Sequence, residues 1–74
     1  LDNGVIYPNP VSETLYFNIS NVASIKIYDS LGRVVKQSAM INNNLINVEN
    51  LTNGIYFIEI NTNANQIQIF KLFK

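Results

Sequence analysis

Leu51 to Asn61 reads Leu-Thr-Asn-Gly-Ile-Tyr-Phe-Ile-Glu-Ile-Asn, and it constrains the fold more than any other stretch of the chain. Thr52-Asn53-Gly54 has the composition of a turn, and Ile55 to Ile60 then runs through β-branched and aromatic residues as a strand does. Side chains alternate along a strand with period two, so Tyr56, Ile58 and Ile60 share one face and Ile55, Phe57 and Glu59 the other. One face is apolar and the other mixed. A strand of this kind belongs in a sheet packed against a second sheet, so the rest of the chain is expected to supply strands rather than helices. Gly54 closes the turn into the strand and is expected at φ > 0 or against neighbouring backbone.

The remaining sequence meets that demand. Val5-Ile6-Tyr7 is a short strand stopped by Pro8, which has no amide hydrogen for a ladder, and Pro8-Asn9-Pro10 makes a rigid corner. Thr14 to Ile19 alternates with Leu15, Phe17 and Ile19 inward. Ser24 to Asp29 repeats the pattern with Ile25 and Ile27 inward. Asp29-Ser30-Leu31-Gly32 joins it to Arg33–Gln37 as a hairpin, with Gly32 expected at φ > 0. Met40-Ile41 reads as a further short or irregular strand and Asn42-Asn43-Asn44 as a loop. In Leu45–Val48, Leu45 and either Ile46 or Val48 are expected to face the core. Asn61–Asn65 is a polar turn. In Gln66–Phe73, Ile67 and Ile69 share one face and Phe70 and Leu72 the other, which implies either a β-bulge or a strand covered on both sides. Six or seven short strands at this spacing predict an all-β fold, a small Ig-like antiparallel β-sandwich of about seven strands, with no helix.

Composition then bounds the chemistry. A chain of 74 residues is one small domain, and without cysteine or histidine it has no disulfide and no such metal ligand, so apolar packing must hold it together. Zinc, iron–sulfur and haem sites are excluded on that count, and no cofactor is expected. Ser–His and Cys–His nucleophile pairs cannot be built. Asp2, Glu13, Asp29, Glu49 and Glu59 lack the paired spacing that carboxylate catalysis needs and read as solvated surface charge, so the domain is not expected to be an enzyme. Five basic and five acidic residues, with no charge run, remove the electrostatic basis for binding nucleic acid or an anionic membrane. Asparagine recurs between the strands, where it tolerates a left-handed backbone. Tyr16, Tyr28 and Phe57 could stack on sugars if exposed, but cross-strand pairing is the simpler role for them. No signal peptide and no bilayer-spanning apolar stretch is present, and the chain reads as part of a longer protein.

Four pieces in order carry a resemblance: Tyr7-Pro8-Asn9-Pro10; Ile25-Lys26-Ile27-Tyr28-Asp29 through Leu31-Gly32-Arg33-Val34-Val35; Leu51-Thr52-Asn53-Gly54-Ile55-Tyr56; and Lys71-Leu72-Phe73-Lys74. Together they resemble the type A C-terminal sorting domain of the type IX secretion system, over nearly the whole chain. The resemblance implies an Ig-like sandwich that serves as an address. An outer-membrane translocon reads it after the passenger has crossed the inner membrane, and a sortase-like cell-surface peptidase then removes it. Residues 1–4 would be the linker to the passenger and 5–74 the sorting domain, passing through the periplasm to the cell surface or medium. Carried over by position, the recognition candidates are Pro8, Asn9, Pro10, Gly32, Gly54, Tyr56, Lys71 and Lys74. The alternatives are an Ig-like accessory module that contacts carbohydrate or another domain, and a passive spacer. In either, Gly32 and Gly54 would serve turn geometry and Tyr56 the core.

Overall fold

A computed structural model describes residues 6–39 and 44–74. Its strands are β1 (Ile6–Tyr7), β2 (Thr14–Phe17), β3 (Val22–Asp29), β4 (Val34–Ala39), β5 (Leu45–Asn47), β6 (Ile55–Thr62) and β7 (Ile67–Phe73). They form two antiparallel sheets, one in the order β1-β2-β5 and the other β4-β3-β6-β7. The expected linker, Val5, Met40-Ile41 and Asn42-Asn43 lie outside the described residues.

Between the sheets lies a core fed by both: Leu15, Phe17, Ile19, Ile25, Ile27, Tyr56, Ile58 and Ile60, the inward residues expected from alternation in β2, β3 and β6 and just beyond β2, are buried, joined by Val11, Val22, Ile46, Val48 and Leu72. Fully burying an aliphatic or aromatic side chain contributes about 1.5–3 kcal/mol, and a small domain without staples rests on these few. Polar satisfaction is complete, for no buried side-chain nitrogen or oxygen among the described residues lacks a partner.

Several boundaries and faces differ from expectation. β2 ends at Phe17, although Ile19 beyond it is still buried. Asn61 and Thr62, expected in a turn, extend β6. Thr62 is 8% exposed, and its Oγ1 accepts from the Ala64 and Gln66 amides while its own amide donates to the Gln66 carbonyl. Leu45 faces outward opposite the exposed Tyr16, and Ile46 and Val48 both face the core, as period two requires once Ile46 is inside. β7 has no bulge: its register with β6 is unbroken from Ile67 to Phe73, so Phe70 and Leu72 point inward and Ile67 and Ile69 stand exposed on the outer face. The bulges fall elsewhere, at Val35 in β4 and between Val22 and Ser24 in β3.

The turns confirm what asparagine does here. Asn21, Asn44 and Asn65 have φ of 58°, 55° and 62°, in the left-handed region that asparagine tolerates better than most L residues. The exposed aromatics pair across strands. Tyr7 stacks on Tyr16 at 5.8 Å between ring centroids, and Tyr28 sits opposite Phe57 on the outer face of the other sheet, so Tyr16 shares no platform with those two.

Candidate functional site

Antiparallel registry carries all four motif pieces to one end of the sandwich. Asp29 at the end of β3 pairs with Tyr56 near the start of β6, and Tyr56 pairs with Leu72 near the end of β7. Gly54 and Lys74 extend that ladder by exchanging both backbone bonds at 2.9 Å. The proline corner meets the same strand end. Asn9, between Pro8 and Pro10 with both X-Pro bonds cis, donates its side-chain amide to the Lys71 carbonyl at 3.0 Å and accepts from the Phe73 amide at 2.8 Å. The Val11 amide then donates to the Phe73 carbonyl at 2.8 Å. One asparagine thus does for the outer edge of β7 what a neighbouring strand would otherwise do.

Lys74 is tied down twice, since its ammonium also donates to the carbonyls of Glu49 and Leu51 and closes the loop before Gly54. The Lys71 ammonium instead lies over the Phe73 ring, 5.3 Å from its centroid. Tyr56 buries its ring and sends its hydroxyl back to the Thr52 carbonyl at 2.6 Å, with the Thr52 hydroxyl at 3.2 Å. This is the backward bond by which a tyrosine corner fixes a loop to a sandwich.

Gly32 and Gly54 part company. Gly32 has φ of 85°, as expected, and donates to the Asp29 carbonyl to close the β3–β4 hairpin. Gly54 departs from expectation. Its φ lies outside the left-handed region and nothing stands within 4 Å of where a Cβ would be, because the residue continues the β6–β7 ladder opposite Lys74 instead of turning sharply.

Asp29 organises the hairpin, although its residue type alone reads as a solvated charge. One carboxylate oxygen accepts from the Leu31 and Arg33 amides at 2.9 Å each, and the other meets the Arg33 Nε at 2.8 Å. These bonds to the charged form, led by the Arg33 amide, hold its carboxyl below the usual carboxylate range. Glu59 is likewise engaged, accepting from the Tyr28 hydroxyl at 3.2 Å and from the Asn61 amide at 3.1 Å. Partial burial, with Glu59 next to it, raises the Tyr28 hydroxyl pKa. An acidic residue placed three before the hairpin glycine was the available signal for the role of Asp29, since such a side chain bonds the turn amides that follow it. Among the described residues no three acidic groups converge as a metal site would require.

A two-sheet sandwich with its motif residues gathered at one end, engaged with one another and not with a reactive group, has the form of a small recognition domain. The family model described as the secretion system C-terminal sorting domain matches residues 5–73, and the chain belongs to that family. It is accordingly an export signal of the type IX secretion system, carried by a protein bound for the cell surface or the medium, and the family is not catalytic. Beta-agarase A of Zobellia galactanivorans is 33% identical over 66 residues, which cover 84% of this chain and 12% of the agarase. The likeness therefore reaches only a small part of that protein. No solved structure matches the chain.

Proposed function

We propose that the outer-membrane translocon reads the end of the sandwich where the proline corner, the Asp29–Arg33 hairpin, the Leu51–Tyr56 segment and the β7 terminus meet. The attached passenger precedes the domain, and a sortase-like peptidase cuts the chain ahead of β1, near Leu1–Gly4. The convergence of four separated motif pieces on one end supports this reading. A passive spacer would have no use for such clustering, and an accessory module built on aromatic faces would have its rings on one platform. The eight candidates divide accordingly. Asn9, Gly32, Tyr56 and Lys74 build the end through bonds to their own chain, Pro8 and Pro10 flank the Asn9 clasp, and Lys71 offers its ammonium and Gly54 open space to a partner.

A reporter carrying a signal peptide and this domain, expressed in a host with the secretion system, tests the reading. It should reach the surface or medium, and the same reporter without the domain should stay in the periplasm. Equal export of both would end the sorting proposal. Deleting Lys71 to Lys74 is a poor substitute, because it removes Leu72, which is 0% exposed, and so strips the core as well as the surface.

A further inference from the structure

From the surroundings of Gly54 we infer that a partner's backbone packs against it, and that the occupant is an extended, partly apolar segment of the export machinery carrying a carboxylate for Arg33. This rests on the reading of the domain as a sorting signal and names what that signal fits. Glycine within a strand pattern ordinarily marks a turn at positive φ or a close approach of another backbone. The fold requires neither here, since φ is outside the left-handed region and the space beside the Cα is open to 4 Å. That space belongs to a shallow open cleft of about 330 Å³ between the Asp29–Arg33 hairpin and the Thr52–Tyr56 segment.

The walls of the cleft specify the occupant. Leu31 is 77% exposed, the most exposed large apolar residue described, and Ile55 beside Gly54 is 43% exposed. Asp29 and Arg33 neutralise each other, and the hydrogen-bonding capacity left over is that of the Arg33 donors. Both Asp29 oxygens are taken up within the hairpin, whereas the Arg33 side chain is 74% exposed and uses only its Nε, leaving its other donors free for a bidentate acceptor. A carboxylate flanked by apolar side chains, on backbone extended enough to pass over a residue lacking Cβ, satisfies all three walls.

The reporter assay decides it when paired with melting of the isolated domain variants. Gly54→Val and Leu31→Asp should fold with midpoints close to the parent's and lose export by about tenfold or more, the factor that 1.4 kcal/mol of lost contact gives. Arg33→Lys, which keeps the charge and gives up the fork, should lose part of it. Gly54→Ala guards against strain from the larger side chain. Folded Gly54→Val and Leu31→Asp variants exported like the parent would overturn the inference, as would failure of Gly54→Ala to fold, since the glycine would then serve its own chain. A parent that self-associates through contacts abolished by Gly54→Val would show a second copy in the cleft and would also overturn it. Retention of the parent reporter alongside the domain-free one would instead strike the sorting reading itself.

Discussion

Gly32 and Gly54 look alike in sequence, each the last residue of a turn before a strand, yet they answer differently to a methyl group. At Gly32 an L side chain must hold φ near 85°, so Gly32→Ala should destabilise the domain by about 1–2 kcal/mol. At Gly54 the backbone and the open space accept Cβ, and Gly54→Ala should be neutral or stabilising by up to about 1 kcal/mol through the unfolded chain. Urea melts of the two variants check both, and equal losses would mean that Gly54 is also held by its own fold. Asp29 adds a dependence on pH. Its folded pKa lies below the ordinary value near 4, so the stability it contributes is complete above that value and is lost as pH falls through the lower, folded one. Asp29→Asn should flatten the acid limb of the midpoint-versus-pH curve, and an unchanged limb would assign acid sensitivity to other carboxylates.

Strands were legible where one face is apolar and the other is not. Leu15, Phe17, Ile25, Ile27, Ile58 and Ile60 alternate with polar or aromatic neighbours, and period two alone placed them inside. β5 and β7 misled for the opposite reason: Leu45-Ile46 and Ile69-Phe70 offer apolar residues to both faces, so the pattern has no phase to read, and the sheet partner decides. The bulge at Val35 was equally silent, because an extra residue leaves no mark in composition. Least legible was the Asn9 clasp, which joins residues 62 and 64 positions apart. The sequence showed a proline corner, and only the fold shows what it grips. Asn9→Ala should leave the outer Lys71 and Phe73 groups to water and cost about 1 kcal/mol for two exposed hydrogen bonds. Amide hydrogen exchange should then quicken at Phe73 before it quickens at Ile58 or Ile60 in the sheet centre, and uniform quickening would show that the clasp stabilises the whole domain and not one edge.

In the whole molecule, one end of the sandwich is crowded with bonds between distant segments. At the opposite end, the β6–β7 hairpin is closed by local bonds between Thr62 and residues within four positions of it, with one longer tie from the Asn63 amide to the Asn21 carbonyl. Cutting residues 71–74 should therefore abolish cooperative unfolding, because it removes Leu72, the Asn9 clasp and the Gly54–Lys74 pair together from a domain with only about 5–15 kcal/mol to lose. Circular dichroism during a thermal ramp checks it, and a sharp transition in the shortened chain would refute it. Asn9 and Phe73 also fix when the fold can finish. Closing contacts at such separation is slow and has to wait for the last strand to be made, so a nascent chain halted before Phe73 has its proline corner and no edge to grip. The clasp thereby closes only on a domain whose β7 is whole, so the proline corner reports that a strand 64 positions away has been made and paired.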